Sequence, residues 1–328
     1  MILSKSNYKL ENILNIDWDF VIIGSGIGGG VMAHELISNT NLKILMIEKG
    51  SLSYENNERP NYWWREKVQG ITSYGNLKHY LSIGCGVGGS SNLFAAQMER
   101  MKEIDFDNSS LKLDKDFFMI NWPLNFNEFN NFYEKAEKLF KIHGSNDPLD
   151  GIKSQSLITP PKLTKFNEFF FSELKDCGLN PYRSHVATEI NSNCDGCAEI
   201  KCNFECKNDT YKICIKPSLN NKNFTLISNC EVLRINSNSD IIESISCFYD
   251  NKEITIKAKK YILSAGAINS PLLLLKSKSP KWPNGISNDN DLIGRNLMWH
   301  ISEIFALKPK NIKTSSFSKR QISFNDFY

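Results

Sequence analysis

Residues 19–30, Asp-Phe-Val-Ile-Ile-Gly-Ser-Gly-Ile-Gly-Gly-Gly, set a short apolar run directly against a turn that holds five glycines. Such a run reads as a buried strand, and the helical spacing of residues 31–38 reads as the helix that follows it. Gly24 permits the tight bend, Gly26 lets the backbone approach a pyrophosphate, and Gly29 lets the helix pack close to the strand while its N-terminus faces the anion. A second apolar strand, 42–47, ends at Glu48, where an acidic side chain meets the hydroxyls of a ribose. Strand, turn, helix, strand and acid in this order call for a parallel α/β fold that binds a dinucleotide. Gly24, Gly26, Ile27, Gly28 and Gly29 are the candidates at the pyrophosphate and Glu48 the candidate at the ribose. Either FAD or NAD satisfies this segment.

The remainder of the chain narrows the class. At 328 residues, 41% hydrophobic and 23% charged, it carries enough apolar surface to offset the entropy of ordering, so a disordered chain is excluded. The length suits one large α/β domain or two interleaved ones. The longest apolar stretches, such as 20–23 and 272–275, fall far short of the roughly 20 residues that cross a bilayer. The net charge of +3 comes from nearly balanced basic and acidic residues. Only residues 308–320 are locally basic, which argues against a nucleic-acid partner. Residues 1–18 hold no continuous apolar core with a cleavage site, so the expected location is the cytoplasm.

Residues 83–91, Ile-Gly-Cys-Gly-Val-Gly-Gly-Ser-Ser, form a second glycine-rich loop. Residues 259–275 read as a strand, a small-residue turn around Ser264 and Gly266, and an apolar helix. Alone, each has a plain structural reading, a tight strand-to-helix connection or a core valine at Val232. In order along one chain they resemble the glucose-methanol-choline (GMC) oxidoreductases, FAD-dependent enzymes that oxidise alcohols. Gly88, Gly89, Ser90 and Ser91 match the family's first signature, a loop beneath the flavin, and Gly266, Ala267, Ser270, Pro271, Leu274 and Leu275 match its second. Residues 229–235 resemble the family strand against the adenine, with Val232 at the contact. Asn121, Trp122 and Pro123, and later Ile293, Gly294, Arg295, Asn296, Leu297 and His300, resemble further family motifs. Two places depart from the pattern: Phe94 stands where the family commonly has Asn, with Asn92 two residues earlier, and Lys278 and Ser279 replace a Ser-Gly pair. The resemblance implies FAD as cofactor and an FAD-binding Rossmann-like α/β domain with an inserted, incomplete cap or substrate region.

Cys194, Cys197, Cys202 and Cys206 fall within thirteen residues, and Cys214 follows eight further on. Packing explains this density poorly, because a buried cysteine acts as a small hydrophobe and these neighbours are Asp195, Glu199, Lys201, Asn203, Glu205 and Lys207. A disulfide knot is disfavoured in a reducing compartment. Structural zinc usually joins two cysteine pairs across a longer spacer. Closely spaced thiolates in a loop suit an iron-sulfur cluster, with zinc or unmetallated thiols as the alternatives. The family resemblance adds that one bacterial branch carries a three-iron cluster near this place, with the spacing of Cys197, Cys202 and Cys206; Cys194 is a further candidate ligand.

The expected organisation is a discontinuous FAD-binding domain, 17–100 and 215–300. An inserted cap or substrate region, 101–214, carries the cysteines, and 301–328 starts a truncated substrate domain or forms a tail. Family members have a late His, paired with a second His or an Asn, which takes the alcohol proton while hydride moves to flavin N5. No residue here matches it, and His34, His79, His143 and His185 lie outside any such motif. The chain is therefore expected to be the N-terminal portion of a longer enzyme. One reading is a dehydrogenase acting on CH–OH groups of a small alcohol or sugar, with electrons leaving to an acceptor or second subunit. The other is an FAD-binding fragment or subunit that needs a partner chain carrying the late His. A nicotinamide-dependent enzyme leaves the second loop and the Gly266 segment without a role.

Overall fold

A computed structural model of the chain describes residues 2–3, 10–52, 65–71, 78–106, 122–189, 202, 205–295, 297–298, 303, 305 and 320–328. In order they form β1 (Ile2–Leu3), α1 (Leu10–Leu14), β2 (Trp18–Ile23), α2 (Ile27–Asn39), β3 (Ile44–Ile47), β4 (Arg65–Ile71), β5 (Lys78–Gly84), α3 (Phe126–Phe140), α4 (Lys165–Asp176) and β6 (Tyr182–Arg183). There follow α5 (Lys216–Ser218), β7 (Phe224–Ile227), β8 (Glu231–Asn238), β9 (Ile241–Tyr249), β10 (Lys252–Ile256), β11 (Ala258–Leu263), α6 (Gly266–Lys276) and β12 (Ile322–Ser323). The chain divides into two units, Met1–Leu93 with Asp209–Leu297, and Phe94–Asn208 with Met298–Tyr328.

In the first unit five strands form a sheet in the order β1-β7-β3-β2-β11, every neighbouring pair parallel. All four residues of β3 are buried, as are Val21, Ile22 and Ile23 at the end of β2. Continuous apolar runs are what parallel strands covered on both faces require. Val21, Ile23, Leu45 and Ile47 share one core with Ile235, Ile245 and Ile256 of an antiparallel sheet, β10-β9-β8. Each such side chain contributes about 1.5–3 kcal/mol on burial, so the end of β2 is firmly placed. Ile23 stands in register with Ile47 on one side and Leu263 on the other. The chain leaves β2 through α2 towards β3, while β11 arrives on the opposite flank. The end of β2 is thus a switch in strand order, the place where open α/β sheets bind ligands.

Local differences from the sequence expectation have local causes. β3 begins at Ile44, because the amide of Lys43 is taken by the Asp19 carboxylate at 2.8 Å. α2 begins at Ile27 and takes Gly28, Gly29 and Gly30 into its first turn, since Gly30 packs where a Cβ would lie 2.0 Å from Thr210 Cγ2.

The second unit is organised around buried ion pairs. Arg100 bonds Glu137 through Nε and Nη2, both at 2.6 Å, and also Glu134 and Asn130. These acids lie on α3, whose first turn is closed by a reciprocal Asn125–Glu128 cap. Residues 320–328 belong to this unit: β12 pairs with β6, and Gln321 Oε1 accepts from the Thr164 amide and from Asn167 Nδ2. Among the described residues no helix is long and apolar enough to cross a membrane.

Candidate dinucleotide site

Gly24 ends β2 with φ +97°, a conformation L side chains rarely adopt, and a Cβ there would meet Ser264 O at 2.4 Å. Its amide bonds Ile47 O at 2.8 Å, which ties the turn to the end of β3. Gly29 is equally constrained, since its Cβ would stand 2.0 Å from Gly24 O. Gly26 is different, because a Cβ there would meet nothing within 4 Å. It caps α2 without any side-chain hydrogen bond, and no acidic residue lies in the first turn. The positive end of the helix therefore opens onto free space at Gly26, which fits a diphosphate. Gly28 is exposed, and Ile27 is exposed at the first helical position.

The second glycine loop lies directly on this turn. Gly88 has φ +99° and Gly89 φ +56°, and a Cβ on Gly89 would lie 2.9 Å from Gly26 Cα. Asn92, nearly fully buried, donates from Nδ2 to Val87 O at 2.9 Å and Gly89 O at 3.0 Å. Ser91 Oγ donates to Gly88 O at 2.6 Å and accepts from Thr210 N at 3.0 Å. Ser90 is exposed, and its hydroxyl accepts from the Gly84 amide at 3.1 Å. Asn92 is therefore spent on the shape of the loop, a role the family pattern does not announce.

Glu48 is 7% exposed. Its Oε2 accepts from Ser25 Oγ at 2.6 Å and Ser25 N at 3.1 Å, and its Oε1 accepts from Gly50 N at 2.9 Å. Burial raises its carboxyl above the usual carboxylate range, against the opposing pull of the Ser25 and Gly50 hydrogen bonds. Ser25 Oγ also accepts from Gly88 N at 3.0 Å. A Cβ on Gly50 would lie 2.3 Å from Gly86 N, so the chain after Glu48 also touches the second loop. The amides of Asn229 and Cys230 bond Gly50 O and Glu48 O, both at 3.0 Å, which carries the start of β8 to the same corner. Val232 on β8 is half-buried against the core and pairs with Cys247. Gly266 opens α6 with φ +83° and free space around it, next to Ser264 and Ala265.

The structure thus joins Gly24, Gly26, Glu48, Gly88 and Gly89 in one corner of the first unit. It also enlists Ser25, Gly50 and Thr210, which the motifs do not single out, and Asn92, noted only as a departure from the family pattern. For Gly50 a signal existed, a glycine two residues after the acid. Cys202 and Cys206 lie in the second unit, with Cys206 buried and its amide donating to Cys202 Sγ at 3.2 Å. Cys194, Cys197, Asn121, Asn296 and His300 lie outside the described residues. Among the described residues no three His, Cys, Asp or Glu side chains group to hold a metal ion.

A sequence profile of the GMC oxidoreductases matches residues 19–302. The chain belongs to the GMC oxidoreductase family. That family binds FAD, and the α/β fold with its parallel sheet agrees with it. The chain is 28% identical over 306 residues to paromamine 6'-oxidase of Streptomyces fradiae, covering 87% of this chain and 54% of that protein. It is 25% identical over 329 residues to the fructose dehydrogenase large subunit of Gluconobacter japonicus, covering 86% and 58%. With 2-methyl-1,2-propanediol dehydrogenase of Mycolicibacterium austroafricanum it shares 25% identity over 313 residues, covering 88% and 56%. The crystal structure of pyridoxine 4-oxidase from Mesorbium loti shares the fold, with a TM-score of 0.57 at 18% identity, over 80% of this chain and 52% of that one. The chain spans about half the length of the curated relatives it matches.

Proposed function

We propose that this chain is the FAD-bearing part of a dehydrogenase acting on CH–OH groups of an alcohol or sugar. The observation that carries the reading is the corner where two glycine loops touch while Gly26 faces open space at the uncapped N-terminus of α2. Bound FAD supplies the hydride acceptor at N5. In this assignment Gly24, Gly26, Ile27, Gly28 and Gly29 hold the pyrophosphate and Glu48 faces the ribose. Gly88, Gly89, Ser90 and Gly266 lie along the flavin side, and Val232 meets the adenine. The discontinuous FAD domain, 17–100 and 215–300, then carries 101–214 as an inserted cap or substrate region.

Cys197, Cys202 and Cys206, with Cys194, are assigned to an iron-sulfur cluster that leads electrons to an acceptor or second subunit, with the cytoplasm as the proposed location. Their spacing supports this, as does the amide of Cys206 on Cys202 Sγ, since such bonds tune thiolate ligands. Iron and sulfide quantified after anaerobic purification test it: the wild-type chain is expected to hold both and Cys202→Ser to lose them. An iron-free wild-type chain overturns the assignment.

A second reading, an FAD-binding fragment or subunit that needs a partner to supply the base, is favoured by His185. That histidine is buried in the second unit, with Nε2 2.9 Å from Ser145 O and Nδ1 3.0 Å from Glu99 Oε2. Buried, with its Nε2 held by the Ser145 carbonyl, it is not offered to an alcohol proton. Dye reduction by the chain alone, with sugars and small alcohols as donors, separates the two. Turnover favours the dehydrogenase, and flavin binding without turnover favours the fragment.

A further inference from the structure

Ser25 lies inside the first glycine turn, bonded to the second loop, and is fully buried. Its hydroxyl accepts the Gly88 amide at 3.0 Å and donates to Glu48 Oε2 at 2.6 Å, while its own amide bonds the same oxygen at 3.1 Å. One hydroxyl therefore links the dinucleotide turn, the acid at the end of β3 and Gly88 of the second loop. We infer that Ser25 is a positioning residue that locks these three segments into one cradle, so that the adenosine and flavin halves of FAD are recognised together. The inference rests on the FAD reading above.

Three observations carry it. The bonds run in one direction, Gly88 N–H to Ser25 Oγ–H to the Glu48 carboxylate, and such a chain strengthens each member when it ends on a charge. All the groups are buried, so removing the hydroxyl strands the Gly88 amide and takes a donor from Glu48 at once. Gly89 abuts Gly26, so a second loop that loses its anchor shifts against the turn at the open face.

The test uses the full chain and FAD titration by flavin fluorescence from pH 4.5 to 8, with melting of the apo protein alongside. The titratable side chains on the segments packed around Glu48 are Lys49 and Glu231, paired at 3.1 Å, and the thiols of Cys85 and Cys230. All four are unchanged in the variants. Ser25→Ala is expected to weaken FAD about ten- to a hundred-fold. It is also expected to move the acid-side loss of FAD to higher pH, because the carboxylate loses a donor that favours its charged form. Ser25→Cys, close in size and a weak donor, is expected to fall between, and replaces the alanine variant if that one fails to fold. A parallel loss of affinity at every pH reduces Ser25 to a packing residue and overturns the inference, as does an unchanged affinity. Glu48→Gln is the control on the underlying reading. If it leaves both affinity and acid edge untouched, the FAD assignment of Glu48 fails, whereas an effect of Glu48→Gln without one of Ser25→Ala sinks only the inference.

Discussion

Gly29→Ala and Gly26→Ala put methyl groups three residues apart on the same turn, yet the structure predicts opposite phenotypes. At Gly29 the methyl carbon stands 2.0 Å from Gly24 O and 3.2 Å from Ile22 Cγ2, where ordinary contact begins at 3.4 Å. The helix or the turn must give by more than 1 Å, and neither is loose, because Gly24 is bonded to Ile47 O and blocked by Ser264 O. Overpacking of this kind costs about 1–3 kcal/mol. Alanine returns up to about 1 kcal/mol of helix propensity, so the steric cost wins and the apo protein is expected to lose roughly 1–2 kcal/mol. For a unit of this size that is a fall of about 2–8 °C in Tm. At Gly26 the methyl meets nothing and φ is −64°, so only the modest preference for glycine at the cap is lost, about 0.5 kcal/mol. That methyl occupies the space assigned to the diphosphate, and FAD affinity is expected to fall at least tenfold, about 1.4 kcal/mol. Circular-dichroism melting of both apo variants and FAD titration of both decide the matter. The reasoning is refuted if Gly29→Ala melts at or above the wild type, or if Gly26→Ala binds FAD as the wild type does.

Three further outcomes are expected. Because burial raises the folded pKa of Glu48, its contribution to apo stability is present below the ordinary carboxylate range and lost as pH rises through the raised value, so Glu48→Gln should gain on the wild type with increasing pH in urea denaturation. Arg100→Met is expected to destabilise the second unit by about 3–5 kcal/mol, because Glu137 is left buried without its partner, and the Arg100→Met/Glu137→Met double variant should recover part of that loss. Gln321→Ala strands the Thr164 amide and takes one acceptor from Asn167 Nδ2, and should cost about 1–3 kcal/mol, read as faster limited proteolysis of the second unit.

How far the sequence was legible depends on how local the cause of each feature is. β2, α2 and β3 were readable because continuous apolar runs and a glycine turn are local consequences of a doubly covered parallel sheet. The order of strands, with β11 arriving beside β2 from more than 200 residues away, was not written in any local pattern; the family resemblance implied only that 215–300 rejoins 17–100 in one domain. At the site, Gly24 and Gly29 were legible because a backbone that forbids Cβ leaves glycine as the only choice. Ser25 was not, since a serine between two glycines looks like any turn residue until Glu48 and Gly88 are brought to it. Asn92 was noticed only as a departure from a pattern, and its bonds to Val87 and Gly89 show what it does instead. The ion pairs of Arg100 and the anchoring of residues 320–328 depend on contacts 30 to 224 positions apart, which no periodicity reports.

The most direct test of the central claim is the number of FAD molecules bound per folded chain, measured by calorimetric titration and by the visible flavin spectrum after desalting. The account predicts about one FAD per chain, weakened in parallel by Gly26→Ala and Glu48→Gln. A chain that melts cooperatively yet takes up no FAD would contradict it.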